Sequence, residues 1–417
     1  MKRFFLTMCV LLLFGTLHAE AFRTHAIDHR IHTLQVRLEG DALALPVVEL
    51  QSEQRLCISF DDMSYEVKSY NYKIVHCNAD WTPSAIAEVE YIDGFYDGII
   101  DDYTLATNTT ALYTHYRFFV PNDDLRLKLS GNYAVLIAQD NDFDNLAAIA
   151  CFSVVDSRIG VSGNVRGNTD IELVRRYQQL DFDLNTSGYE VRDPFSELKV
   201  AVYQNRRTDN AVTDIKPTYS SLATQSYKNN RKLIFEGGNQ YHSIDFSSEY
   251  TYGAGIERIV FEHGDFQVWL SPDIKRAERG VAQGDDANGN FLVNRQGTDD
   301  SDSEADYMWV HFVLLADEPY FTGSVYILGQ LCDNALDETS RMTYDFEAKA
   351  YVKSLYLKQG GYNFQYIYVP KGETVGTLQP VEGSFWQTEN EYNIYVYHRA
   401  WGERYDRLVA VKTIYSN

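Results

Sequence analysis

The strongest constraint on the fold of this chain is a two-residue alternation of apolar and polar side chains. Leu56, Ile58 and Phe60 alternate with Cys57 and Ser59. Similar rows occur at residues 70–76, 116–120, 362–368 and 394–398. Because successive side chains of a strand point to opposite faces of a sheet, this spacing predicts β-strands.

The residues between these rows favour β-sandwiches. The chain contains 31 tyrosines and 22 phenylalanines, which suit half-buried pleated surfaces. Turn-forming runs such as Ser130-Gly131-Asn132 and Gly360-Gly361 separate many of the rows. The only candidate helix is Glu172–Gln179. The sequence therefore predicts an all-β fold of three consecutive β-sandwich, immunoglobulin-like domains.

Length and composition shifts suggest where these domains begin and end. A chain of 417 residues corresponds to about three domains at roughly 150 residues each. We expect an N-terminal domain over residues 22–156, a middle β domain over residues 157–316 and a C-terminal immunoglobulin-like domain over residues 317–417. Asp317-Glu318-Pro319 serves as the expected linker, because proline favours an extended preceding residue.

The first 21 residues have the pattern of a secretory signal peptide. Lys2 and Arg3 precede the apolar run Phe4–Phe14, and Ala19-Glu20-Ala21 offers a cleavage site. The apolar run is too short to span a bilayer. We therefore expect an exported protein without direct membrane insertion.

Charge narrows the choice of partners. The formal net charge is −22, which repels nucleic-acid phosphates and anionic lipid headgroups. We expect no nucleic-acid partner, whereas a protein partner or a neutral ligand remains open.

Four cysteines follow the predicted signal peptide: Cys57, Cys77, Cys151 and Cys332. Disulfides are permitted in an exported protein. Cys57 and Cys151 lie inside apolar runs, where cysteine packs as a small hydrophobic residue. Buried thiols are the favoured interpretation, and the disulfide state is left open.

No motif of catalysis was found in the sequence. The chain lacks a G-x-S-x-G elbow, an H-E-x-x-H pair, a phosphate-binding P-loop and a C-x-x-C pair. Asp285, Asp286, Asn288 and Asn290 offer oxygen ligands for Ca²⁺, although a solvated loop is favoured. We expect no enzyme activity, no cofactor and no metal.

The run from Tyr91 to Tyr103 is the candidate partner-binding segment. Tyr91, Phe95, Tyr96 and Tyr103 alternate with acidic residues and glycines. Aromatic side chains dominate the energetics of protein interfaces. The favoured interpretation is a pair of sandwich strands joined by turns, with the aromatic side chains inside.

Several long, irregular strings resemble the Plug protein family of the type IX secretion system of Bacteroidetes. In the N-terminal part they are His76–Ser84, Gly94-Phe95, Tyr113–Tyr116, Val120–Asn122 and Ser130–Tyr133. In the C-terminal part they are Leu357–Gly360, Glu382–Ser384, Gln387–Tyr392 and Arg404–Leu408. The resemblance covers essentially the whole chain after the signal peptide.

The resemblance implies a non-enzymatic periplasmic subunit. Such a protein would bind and seal the periplasmic opening of a large outer-membrane β-barrel translocon, and we expect it to be a monomer when free.

The last predicted domain supports a second hypothesis. Gly323–Gly329 and Gly360–Tyr366 resemble starch-binding immunoglobulin-like modules of glucan enzymes. The position where those modules carry a stacking aromatic reads Gln330–Leu336, without one. The alternative function is a periplasmic or surface glycan-binding accessory protein, with Trp386 and Trp401 as stacking candidates. Packing of both tryptophans in the core is the favoured interpretation.

Overall fold

The structure is a computed structural model that describes residues 21–416, apart from Val174. Residues 1–20 of the predicted signal peptide lie outside the described residues. Almost all regular structure is strand, arranged in antiparallel-rich sheets, so the prediction of an all-β sandwich fold is confirmed.

We propose that residues 22–156 form the first sandwich. Its strands are β1 His25–Ala26, β2 Ile31–Leu38, β3 Val47–Glu49, β4 Leu56–Asp62, β5 Tyr70–Cys77, β6 Ile92–Gly94, β7 Asp97–Ile100, β8 Asp102–Leu105, β9 Thr114–Val120, β10 Leu125–Leu127, β11 Gly131–Gln139 and β12 Leu146–Val155. A single helical turn, α1, spans Glu88–Tyr91. One sheet has the order β1-β12-β11-β5-β7, with β3 beside β12, and the facing sheet has the order β2-β4-β9-β8. The chain therefore passes from β7, at the edge of one sheet, to β8, at the edge of the other.

The next segment contributes seven strands. They are β13 Gly160–Arg166, β14 Tyr177–Asn185, β15 Leu198–Gln204, β16 Val212–Thr213, β17 Tyr219–Ser220, β18 Thr224–Ser226 and β19 Ile234–Glu236. A helical turn, α2, spans Pro194–Glu197, and a 3-10 turn spans Arg231–Leu233.

The described residues of the candidate helix Glu172–Gln179 are not helical. Tyr177, Gln178 and Gln179 instead begin β14 and pair with Glu236, Phe235 and Ile234 of β19. Partners distant in sequence thus override the local helical pattern.

The following segment forms a complete sandwich of ten strands. They are β20 His242–Asp245, β21 Ile256–Glu262, β22 Asp265–Leu270, β23 Asp273–Ile274, β24 Phe291–Val293, β25 Tyr307–Leu315, β26 Gly323–Leu328, β27 Thr343–Asp345, β28 Ala350–Lys358 and β29 Gly360–Pro370. A helical turn, α3, spans Ser301–Glu304, and a 3-10 turn spans Gln330–Cys332. The sheet β21-β22-β25-β28-β27, with β23 beside β25, faces the sheet β20-β29-β24, with β26 beside β29.

The last two strands return to the middle of the chain. These are β30 Glu391–His398 and β31 Arg407–Tyr415. β30 pairs with β15 along its whole length, from Leu198 opposite His398 to Gln204 opposite Tyr392. Leu180, Val200, Ile394 and Val396 share one buried cluster.

These pairings disagree with the domain boundary predicted between residues 316 and 317. A boundary there would divide the sheet β21-β22-β25-β28-β27. It would also place β15 and β30, which pair with each other, in different domains. We propose that residues 157–237 and 386–416 form the middle sandwich, into which residues 238–385 insert the third. The two chain segments that connect the middle sandwich with the third, near residues 238 and 385, lie side by side. Phe385 N donates to Gly238 O at 2.9 Å. A Cβ on Gly237 would stand 2.1 Å from Phe385 O, so the close approach requires glycine.

The four described cysteines are free thiols. Cys77 and Cys151 are buried in one small cluster, Cys332 is buried in the third sandwich, and Cys57 is half-buried in β4. Burial raises the pKa of Cys151 to about 12, which leaves this thiol protonated and unreactive at neutral pH.

A buried charged cluster lies at the base of the third sandwich. Glu382 accepts from Arg276 Nε at 2.6 Å and from Tyr366 N at 2.8 Å, and His242 Nε2 lies 3.2 Å away. Burial lowers the pKa of His242, but the charges of Glu382 and Asp273 outweigh burial and raise it to about 9. His242 is therefore a cation at neutral pH.

A chain truncated after residue 316 should lose the middle sandwich, because β30 and β31 supply half of one of its sheets. Limited proteolysis should cleave freely within residues 157–316 and leave residues 22–156 protected. A protease-resistant fragment spanning residues 157–316 would contradict the proposed division.

The His242→Gln variant should show a pH-dependent loss of stability. Since the folded pKa is raised, protonated His242 contributes stability that is complete below the unfolded value of about 6.5 and is lost as pH rises through about 9. In urea titrations the difference in unfolding free energy between wild type and variant should be largest at pH 6 and shrink by pH 10. A pH-independent difference would contradict this account.

Candidate partner-binding surface

The structure separates Tyr91 from the other aromatic residues of the predicted partner-binding segment. Its side chain is only 4% exposed. The hydroxyl donates to Ile74 O at 3.1 Å, and the ring lies beside those of His76 and Tyr133. Because α1 ends at Tyr91 with the side chain directed into the first sandwich, Tyr91 belongs to the core and the prediction of a contact there is corrected.

Phe95, Tyr96 and Tyr103 are solvent-exposed, at 68%, 38% and 45%. Phe95 and Tyr96 lie between β6 and β7, where Phe95 N donates to Asp124 O at 3.0 Å. Tyr103 lies on β8, and its ring stands 5.9 Å from that of Tyr116. All three lie on the stretch that passes from one sheet edge to the other.

An apolar rim extends this surface along β8. We use this name for Tyr65, Val67, Tyr103 and Leu105, which are all exposed. Tyr103 and Leu105 lie opposite Tyr116 and Thr114. The loop that carries Tyr65 and Val67 is held against the same two residues of β9: Lys68 N donates to Tyr116 Oη at 2.7 Å, and Thr114 Oγ1 donates to Glu66 O at 3.4 Å.

Sequence reasoning missed Tyr65, Val67 and Leu105. Tyr65 and Val67 alternate with Ser64 and Glu66, a pattern typical of a strand, yet this stretch forms none. Only the absence of a neighbouring strand leaves these side chains exposed.

Acidic residues lie on the chain segments that carry and precede the rim. Asp102 forms an ion pair with Arg117, with Nε to Oδ2 at 2.7 Å. Glu66, Asp97 and Asp101 have no basic side chain within ion-pair distance among the described residues. The surface thus combines exposed apolar groups with uncompensated negative charge.

A buried ion pair joins the first sandwich to the third. Lys358 Nζ lies 2.6 Å from Asp61 Oδ2, and both side chains are almost fully buried. Tyr307 Oη donates to the same oxygen at 2.6 Å, and His115 Nδ1 lies 2.7 Å from Oδ1. Burial raises the pKa of Asp61, but the charge of Lys358 and the hydrogen bond from His115 outweigh it, so the net pKa lies below the ordinary value.

A second buried carboxylate supports the same interface. Asp306 accepts from Thr110 N and Thr110 Oγ1, both at 2.7 Å, and from Ala111 N at 2.9 Å. Its own neighbour Tyr307 N donates at 2.9 Å. The loop before β9 is therefore tied directly to the start of β25.

The first sandwich also contacts the end of the chain through Asp406. This buried carboxylate accepts from Ala79 N at 2.9 Å and from Lys199 Nζ at 3.0 Å, and Arg399 Nε lies 2.8 Å away. Ala79 belongs to the first sandwich and the other residues to the middle one.

The middle and third sandwiches are joined in the same manner. Glu236 accepts from Thr377 Oγ1 at 2.6 Å and from Leu378 N at 2.9 Å. Asp209 accepts from Gly376 N at 3.0 Å. Each sandwich therefore contacts both others through buried or half-buried hydrogen bonds.

Comparison with known protein families gives a match for the first sandwich. Residues 31–156 match the type 9 secretion system plug protein 1st domain. This match is consistent with the type 9 secretion system plug protein family. It links the first sandwich to type IX secretion.

A solved structure of a relative extends the similarity over the rest of the chain. A hypothetical protein from Parabacteroides merdae is 42% identical, with a TM-score of 0.93 over 95% of this chain and all of that one. A collagen adhesin from S. aureus is 8% identical over 93% of this chain and 92% of that one, and its TM-score of 0.13 carries no argument. No curated protein matches the chain.

Two of the strings that carry the resemblance to plug proteins meet at one interface. His76–Ser84 lies against Arg404–Leu408: the ring of His76 is 5.3 Å from that of Tyr405, and Ala79 N donates to Asp406. Tyr397 Oη also donates to Asn132 Oδ1 at 3.0 Å. These strings therefore encode the junction between the first and middle sandwiches.

The two tryptophans do not form a joint sugar-stacking platform. Trp386 is half-buried below the guanidinium of Arg175, whereas Trp401 is 92% exposed, so the prediction that Trp401 packs in the core is wrong. They flank opposite ends of β30, whose eight residues span about 26 Å. A turn between β30 and β31 holds Trp401 in solvent.

In the loop considered for Ca²⁺, the carboxylate of Asp286 is already hydrogen-bonded to backbone N–H groups of the protein. Asp286 accepts from Tyr241 N and Asn288 N, both at 2.7 Å. Among the described residues no group of three or more His, Cys, Asp or Glu side chains is placed to hold a metal ion. In the same part of the chain no helix is long and apolar enough to cross a membrane.

Replacing Lys358 with Met should destabilise the protein by about 3–5 kcal/mol, because Asp61 would remain buried without its cation. Chemical denaturation checks this value. The double variant Asp61→Asn, Lys358→Met should recover part of the loss. The matched control is Arg55→Ala, in an exposed pair with Glu39, which should leave the unfolding free energy nearly unchanged. Equal stability of Lys358→Met and wild type would contradict the role of this pair.

Proposed function

We propose that this protein is a non-enzymatic, periplasmic subunit of the type IX secretion system that binds and seals the periplasmic opening of the outer-membrane translocon barrel. The observation that carries the proposal is the match of residues 31–156 to the plug protein family. The predicted signal peptide supports delivery to the periplasm, where the protein associates with the translocon.

A protein that seals the barrel must keep its three sandwiches in fixed positions relative to one another. A barrel wide enough to pass folded cargo leaks small solutes unless something solid covers its mouth. Buried carboxylates with several partners each, Asp61 and Asp306, join the first sandwich to the third, and Asp406 joins it to the middle one. Separating these surfaces would break all of these hydrogen bonds and ion pairs together, which opposes hinge motion between the sandwiches.

The contact with the barrel is made by the exposed aromatic surface of the first sandwich. Phe95, Tyr96 and Tyr103 present large apolar area to solvent beside free acidic groups. Aromatic residues are enriched at specific protein interfaces and supply much of their binding energy. Basic groups around the barrel mouth would complement the acidic side chains.

Deletion of the gene followed by complementation tests the proposal. Without the protein, cargo export should fall or small solutes should pass the outer membrane more freely, and the wild-type chain should restore both. Unchanged export and permeability after clean deletion would overturn the proposed function.

The contact surface is tested by replacing Phe95, Tyr96 and Tyr103 together with Ser. The variant should fold, since all three side chains are exposed, but should retain at least tenfold less barrel when purified from gently solubilised envelopes. The matched control replaces three exposed aromatics of the third sandwich, Tyr250, Phe321 and Phe346. Equal loss in both triple variants would contradict a specific surface.

A further inference from the structure

The free edge of β8 carries backbone groups available for pairing. Ala106 N donates to Tyr113 O at 2.9 Å. Since bonded and non-bonded pairs alternate in an antiparallel ladder, the Thr104–His115 and Asp102–Arg117 pairs are hydrogen-bonded. The N–H and C=O groups of Tyr103 and Leu105 therefore point away from β9, and no strand pairs with them in the described part of the chain.

β8 is short, with four residues, and it carries Asp102, but it lacks three other devices that protect sheet edges against added strands. Native edges are commonly interrupted by a bulge, a proline or a lysine. The opposite edge of the same sheet, β2, has a register shift between His32 and Gln35. β8 pairs with β9 without a shift and contains neither proline nor lysine.

The side chains beside the edge provide an apolar floor for one face of an added strand. Tyr103 and Leu105 project on the same face of β8, and Tyr65 and Val67 stand in the adjoining loop. Alternate residues of an added strand would cover these four side chains. Glu66, Asp97 and Asp101 would attract basic side chains on the same segment.

We propose that the β8 edge accepts an extended segment of the translocon partner by strand addition, the segment having apolar residues at alternate positions and basic residues near Glu66, Asp97 and Asp101. This inference rests on the proposed function and deepens it. Main-chain pairing supplies affinity, and the apolar rim sets the register.

Tyr103→Pro is the sharpest test. Proline removes the outward N–H of residue 103 but leaves the β9-facing bonds of Asp102 and Thr104 in place. Tyr103→Val removes the ring and keeps the N–H, and it is the matched control. In envelope purifications we expect Tyr103→Val to retain less barrel than wild type, because the ring is lost. Tyr103→Pro should retain at least tenfold less barrel than Tyr103→Val, because the N–H is lost as well.

Hydrogen exchange on the wild-type complex gives a second measurement that does not depend on folding of a variant. The amides of Tyr103 and Leu105 should exchange fast in the free protein and at least tenfold more slowly with barrel bound. Unchanged exchange, or barrel retention by Tyr103→Pro at the level of Tyr103→Val, overturns strand addition alone. If wild type retains no barrel, the proposed function falls and this inference with it. The wild-type protein could instead self-associate and become monomeric in the Tyr103→Pro variant. That result would show that the β8 edge binds a second copy of this chain, and it would overturn the proposal.

Discussion

The arrangement of the three sandwiches depends on the carboxylate of Asp61, buried between the first and the third. An ion in such a place is stable only when its charge and hydrogen-bonding capacity are satisfied. Lys358, Tyr307 and His115 provide these partners from two sandwiches and three different strands. Because the partners of Asp61 come from both sandwiches, these hydrogen bonds fix the position of the first sandwich relative to the third.

The path of the chain adds a second constraint. The third sandwich is inserted into the middle one, and the last two strands complete a sheet begun nearly two hundred residues earlier. The same C-terminal segment contains Asp406, whose carboxylate accepts a hydrogen bond from Ala79 N of the first sandwich. Completion of the middle core therefore also closes the junction with the first sandwich. Such coupling suits a protein whose proposed role is to cover an opening as a single body.

The edges formed by β7 and β8 differ from the interfaces between the sandwiches, because no further strand pairs with them in the described residues. Many aromatic side chains of the described residues, such as Tyr70, Tyr133 and Tyr392, are buried within sandwiches. At this edge the chain crosses between sheets, and neither sheet has a further strand to cover Tyr103 and Leu105. Exposure of apolar groups and unpaired backbone at one position is the property that a partner can use.

The sequence by itself determined the all-β class, the position of several strands and, through its irregular strings, the resemblance to plug proteins that residues 31–156 support. Its alternation shows that a residue lies on a strand and which neighbours share its face, but it does not show which strand lies alongside. For that reason the boundary at residues 316 and 317, the helix at Glu172–Gln179 and the burial of Trp401 were misjudged. Tyr91 and Tyr103 look alike in sequence; a helical turn directs one into the core, while the other stands on a sheet edge. Only the tertiary structure decided between them, because exposure depends on strands distant in sequence that cover, or fail to cover, each side chain.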